Sequence, residues 1–120
     1  MGSVRVRRAQ ADDALVVAAM RLQAARAAGA GPEPGFLDRF AAAWDPDDHP
    51  TWVADLDGAH AGLLITQVVR DLPCPGVAPG QSLHVATLHT ARAGTEPEVT
   101  RALTAAMRAW ARSRGLAAPS

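Results

Sequence analysis

Apolar positions along this chain alternate between a period of two and a period near three and a half, and each change of period marks an element. Val4 and Val6 alternate with Arg5 and Arg7, which predicts a short strand with one buried face. Ala9 to Asp13 is a connector, and Asp12 or Asp13 is placed to cap the helix that follows. Leu15, Ala18, Leu22 and Ala25 form the expected apolar stripe of that helix, with Ala19 and Met20 adding width and Arg21 and Arg26 turned toward solvent. The run from Ala28 to Gly35 holds three glycines and two prolines and reads as a loop. Phe36, Phe40 and Trp44 then recur four residues apart, predicting a second helix from about Gly35 to Trp44. Asp45-Pro46-Asp47-Asp48-His49-Pro50 ends it. That run is acidic but lacks metal-ligand spacing, so it reads as a solvated loop.

Thr51 to Leu56 is a predicted strand with Trp52, Ala54 and Leu56 on one face and Thr51, Val53 and Asp55 on the other. Asp57-Gly58 is a hairpin signal. Ala61 to Val69 is the return strand, apolar on both faces, and is expected at the centre of a sheet. Arg70 to Gln81 is a long loop with Pro73, Pro75, Gly76, Pro79 and Gly80, and its length hints at function. Leu83 to Leu88 is a fourth strand, interspersed with His84 and flanked by His89. Thr95 and Glu98 have the spacing of a capping box, and Pro97 suits a first helical turn. Val99, Leu103, Ala106 and Trp110 make the stripe of the last helix, widened by Ala102 and Met107. Arginines crowd its C-terminal end, where the helix dipole favours cations, and Gly115 is a stop. Leu116-Ala117-Ala118 begins a further extended segment.

Composition narrows the function classes. A length of 120 residues fits one domain, 1–120, with its own core. Twelve basic residues balance twelve acidic ones, so no field favours nucleic acid or an anionic membrane. Every basic residue is arginine, which removes lysine as an amine nucleophile. Cys74 is the one cysteine: no internal disulfide and no paired-cysteine metal site can form, and a cytoplasmic setting is the plain inference. No apolar segment is long enough to span a bilayer. No dinucleotide fingerprint, Walker loop or Ser-His-Asp arrangement is present.

The order strand, helix, helix, three strands, helix resembles the GCN5-related N-acetyltransferase (GNAT) superfamily. The residues that carry the likeness are Val4 to Asp13 for the first strand and helix entry, and Trp52 to Gly58 with Ala61 to Leu64 for the hairpin. Ala102-Leu103, Ala109-Trp110-Ala111 and Arg114-Gly115 carry it in the last helix. The resemblance implies an α/β (α+β) fold: a mixed, mostly antiparallel sheet flanked by helices, here C-terminally truncated to the front two thirds of the family fold. It also implies acetyl-CoA held at the start of the last helix, where the family places Arg or Gln, two residues, Gly, one residue, then Gly or Ala. Those positions fall on Thr95, Glu98 and Thr100, with Arg92 and Arg101 nearby. None of the three matches. The Thr95 hydroxyl and Glu98 carboxylate would occupy helix N–H groups themselves, and Glu96 and Glu98 put negative charge where a diphosphate would sit.

Two functions follow from the resemblance. One is a weak acetyl-CoA-dependent N-acetyltransferase acting on a small amine. The other is a non-catalytic degenerate module acting as a dimer or partner subunit, paired through an exposed edge of the fourth strand. The family often uses a tyrosine acid, and this chain has no tyrosine. His84 or His89 is the candidate proton acceptor. Their odd separation puts them on opposite faces of a regular strand, so they do not share a metal. Asp71 is a candidate for an amine-binding cleft, or an ordinary loop aspartate. His49 and His60 read as surface residues, Cys74 as inert, and the three tryptophans as core.

Overall fold

A computed structural model describes residues 3–78 and 80–119. Pro79 of the expected loop and Ser120 at the chain end lie outside them. The elements are β1 (Val4–Arg8), α1 (Ala14–Ala27), α2 (Phe36–Ala43), β2 (Thr51–Leu56), β3 (Ala59–Arg70), β4 (Gln81–Thr90) and α3 (Glu96–Ser113), with a 3₁₀ turn at Ala11–Asp13 before α1. The four strands form one sheet in the order β1-β2-β3-β4, each pair antiparallel. α3 covers one face and α1 the other, giving the mixed α/β layering expected.

The face against α3 is closed by Trp52, Ala54, Leu56 and Leu64 from the sheet and by Val99, Leu103, Met107 and Ala111 from the helix. These four helical positions are four apart, a single stripe of α3. Gly62 lets the helix come this close: a Cβ there would overlap Val99 Cγ1 and lie 3.0 Å from Leu103 Cδ1. Trp110 meets Trp52 edge to face, with ring centroids 5.6 Å apart. Gly115, at φ +68°, ends α3 as a Schellman motif: its N–H bonds the Arg112 carbonyl at 3.2 Å and the Leu116 N–H bonds Ala111 at 2.8 Å.

The opposite face packs Val53, Leu63 and Ile65 against Val17 and Met20 of α1 and against Trp44. Here the expected stripe of α1 is rotated. Leu15 is 62% exposed and Leu22 half-buried, while Val17, Ala18 and Met20 are buried. The start of α1 is apolar on every side, so helical period alone does not choose the face; contact with the sheet does. Leu15, Leu22 and Leu37 instead line an open groove with α2. The expected cap also shifts. Asp13 sits at the start of α1 without capping it; its carboxylate accepts the Gln10 N–H at 2.8 Å and Arg7 Nη1 at 2.9 Å. The Gln10 N–H, helped by Arg7, holds the Asp13 carboxyl below its usual range.

Asp57 and Gly58 have φ of +52° and +78°, as a two-residue hairpin turn with both central residues left-handed requires. β3 is longer than expected and buried on both faces from Ala61 to Thr66. Beyond Ile65 it has outrun β2, and the Asp45–Pro50 loop takes over the ladder. The Thr66 N–H bonds the Pro50 carbonyl and the Val68 N–H bonds the Asp48 carbonyl, each at 3.0 Å. That loop is therefore docked on the sheet, with Pro50 buried, and is not a freely solvated run. β4 is the edge strand, with Val85 and Leu88 each 45% exposed. At its start the Leu116-Ala117 segment runs alongside in parallel, Leu83 N–H bonding the Ala117 carbonyl at 2.8 Å. Among the described residues no helix is long and apolar enough to cross a membrane.

Candidate functional site

The register of β4 against β3 breaks in its middle. Thr87 is opposite Ile65 and Val85 is opposite Thr66, so Ala86 is an extra residue with no partner on β3. This β-bulge reverses the alternation of side chains along β4. His84 pairs with Gln67 and His89 with Leu63, two β3 positions of the same parity. Both histidines therefore lie on the α1 face, not on opposite faces as regular alternation predicts. They remain four β3 positions apart, roughly 13 Å, and no metal-binding group of histidine, cysteine or carboxylate occurs among the described residues.

Beside the bulge lies a cavity of about 310 Å³, lined by Ala86, Thr87, Ile65, Trp44, Arg21 and His49 among others. His49 is half-buried, contrary to the surface position expected, and its Nδ1 is buried with no hydrogen-bond partner. Its backbone is held on both sides. The His49 N–H bonds the Asp45 carbonyl at 2.8 Å, and the His49 carbonyl accepts the Thr51 hydroxyl at 2.7 Å. Thr51 Oγ1 in turn accepts Trp44 Nε1–H at 3.0 Å. The proline-rich loop thus brings His49 to the cavity beside the bulge. Sequence spacing carried no signal for this, because Asp45–Pro50 and Ala86 are brought together only by the β3 ladder.

His89 is half-buried two residues beyond Thr87, and its Nε2 is also buried without a partner. Burial pushes its pKa below the ordinary 6.5. The unfolded chain therefore binds this proton at higher pH than the folded one. The resulting stability is fully present above pH 6.5 and is lost as pH falls through that value and on through the lower folded one. Thermal melts taken from neutral to mildly acidic pH should show the parent protein losing stability faster than His89→Gln; parallel curves would refute the assignment. His84 is exposed and its Nε2 lies 3.2 Å from the Ser82 hydroxyl. Asp71 is exposed at the mouth of the β3–β4 loop, its N–H on the Gly80 carbonyl at 2.9 Å, and is not among the residues lining the cavity. His60 is exposed and pairs with Asp55 at 2.7 Å.

The start of α3 differs from the capping box expected. Thr95 has helical φ and ψ of −110° and −1°, and its hydroxyl donates to the Arg92 carbonyl at 2.7 Å. An N-cap needs extended backbone to aim its oxygen at the first N–H groups. Thr95 is instead turned into the preceding loop, and no side chain caps the helix. The N–H groups of Glu96 and Glu98 are left without a side-chain cap, and Pro97 has none to give. Arg92 reaches away to the Leu56 carbonyl at 3.1 Å, while Arg101 is exposed on α3. A CoA diphosphate fits this helix end poorly. One donor is missing, two carboxylates occupy the first turn, and Glu98 and Thr100 carry side chains where close backbone approach needs none. The bulge, by contrast, leaves Ala86 without a β3 partner beside a cavity that His49 also lines.

No family model matches the sequence, and no curated protein does. Solved structures do. A predicted acetyltransferase from Clostridium acetobutylicum, determined with acetyl-CoA, is 11% identical with a TM-score of 0.78, over 97% of this chain and 79% of that one. A ribosomal-protein-alanine N-acetyltransferase from Brucella melitensis is 20% identical at 0.71, over 98% and 82%. An aminoglycoside N-acetyltransferase in complex with CoA is 17% identical at 0.67, over 100% and 78%. At such identities the likeness is one of architecture, and it shows that this chain has the fold of the GNAT acetyltransferases.

Proposed function

We propose that this protein is a weak acetyl-CoA-dependent N-acetyltransferase acting on a small amine. The observation that carries the reading is the Ala86 bulge beside the cavity that holds His49 and Thr87. An acyl thioester lying along β4 would bring its carbonyl to the unpaired backbone of the bulge, whose N–H would donate to the oxygen as charge develops there. The cavity suits a small amine: its nitrogen would bond the acyl carbon, the C–S bond would break, and the His49 imidazole would take the amine's proton and pass it to the departing sulfur, so that CoA leaves as the thiol. His89 is the second candidate for that role, and Arg21 would favour an anionic group elsewhere on the acceptor.

Isothermal titration with acetyl-CoA, followed by thiol release with a panel of small primary amines, tests this. Weak saturable binding with amine-dependent release is the expected result. The helix start supplies a further prediction: Glu98→Gly with Thr100→Gly should tighten acetyl-CoA binding by about tenfold, as negative charge and bulk leave the anion-facing turn. The same pair should lower stability by roughly 1–2 kcal/mol through added backbone entropy. Unchanged affinity in a folded double variant would show that the helix start is not what limits binding.

The carboxylates of Glu96 and Glu98 favour a second reading, a non-catalytic partner module. It would use the outer edge of β4, unpaired beyond Leu83 among the described residues, to add a strand from another copy or another protein. A folded chain with no heat on acetyl-CoA addition and a dimer mass in sedimentation would favour it over catalysis.

A further inference from the structure

At the C-terminal end of α3, the ends of β1 and β3, the start of β4 and the Pro46-Asp47 turn line a polar cavity of about 280 Å³. Arg8, Arg70 and Arg114 line it, with Gln81, Trp110 and a single carboxylate, Asp47. None of the three arginines makes an ion pair among the described residues, where the salt bridges are Arg7–Asp13, Arg39–Glu33 and His60–Asp55. Arg8 and Arg114 are steadied instead by the Trp110 ring, their guanidinium carbons 5.4 and 5.5 Å from its centroid. The Trp110 Nε1–H is buried without a partner. In a chain of zero formal charge, three cations from three elements converge on one cavity beside an unsatisfied donor. Their mutual repulsion is offset within it only by Asp47. Of the last carbonyls of α3, which would repel an anion, those of Trp110, Ala111 and Arg112 are already taken by the N–H groups of Arg114, Gly115 and Leu116.

We infer that this cavity is a binding site for a phosphate-bearing small molecule. The guanidinium forks suit a dianion, Gln81 adds a neutral donor, and Asp47 leaves a net charge that a phosphate matches better than a carboxylate. The site is separate from the proposed acyl-transfer cavity: they share no lining residue.

The Trp110 indole N–H gives a direct readout by proton–nitrogen NMR, its signal identified by its loss in Trp110→Phe. Inorganic phosphate should shift it saturably, and sodium chloride at matched ionic strength should not. Arg70→Gln, at an exposed position that leaves the Trp110 stack intact, should weaken phosphate affinity by about tenfold or more. Arg112→Gln, outside the cavity, should leave affinity unchanged. Acetate should bind more weakly than phosphate. The inference is overturned by no saturable shift at millimolar phosphate, an equal shift with chloride, acetate binding as tightly as phosphate, or Arg70→Gln without effect.

Discussion

Replacing His49 by glutamine is expected to slow acetyl transfer to a small amine by about a hundredfold or more, the usual contribution of a positioned general base. Acetyl-CoA affinity should be unchanged, because His49 lines the cavity proposed for the amine and is not part of the start of α3. Glutamine keeps the bulk and a hydrogen-bonding group, and the hydrogen bonds that hold residue 49 are made by its own N–H and carbonyl, so the loop should keep its place. The test is a pair of rate profiles, for His49→Gln and His89→Gln, with circular dichroism to show both are folded. Full activity in His49→Gln with loss in His89→Gln would move the proton acceptor to β4.

Leu103→Ala is expected to cost about 2–5 kcal/mol and to lower the thermal midpoint by roughly 10–20 °C. Leu103 is fully buried at the middle of the α3 stripe, directly over Gly62. The strand opposite it is hydrogen-bonded on both sides, so the space left should collapse only in part. Gly62→Ala should cost about 1–3 kcal/mol by itself, since its Cβ overlaps Val99 and crowds Leu103. In the double variant the penalties should fall short of additive, because removing Leu103 relieves part of that crowding. Thermal melts of the two single variants and the double variant measure this. Strict additivity would mean that α3 does not rest on Gly62.

Much of this architecture follows from local sequence. The stripe of α3, its arginine-rich end and Gly115 stop, the Asp57-Gly58 turn and the apolar run of β3 are each set by residues close in the chain. Short-range sterics and a clear period decide them. They predicted the GNAT-like layout, and with it the fact that the helix start lacks the family's glycines. Thr95 shows the limit of such reasoning. The Thr95–Glu98 spacing fits a capping box, but the cap depends on one backbone torsion, and the loop from Arg92 to Gly94 turned it the other way.

The candidate site belongs to the other category. α1 is so rich in small apolar residues that its sequence does not choose a buried face; packing against Leu63 and Ile65 chose Val17 and Met20. Alternation along β4 puts His84 and His89 on opposite faces, and one unpaired residue, Ala86, put them on the same one. His49 is separated from Ala86 by two strands, and it reaches the bulge because the end of β3 needed hydrogen-bond partners that β2 was too short to supply. The sequence by itself determined the elements and their order, since these depend on neighbours in the chain. Which side chains meet was decided by the tertiary structure, because strand register and the satisfaction of backbone hydrogen bonds are settled only when distant segments pair.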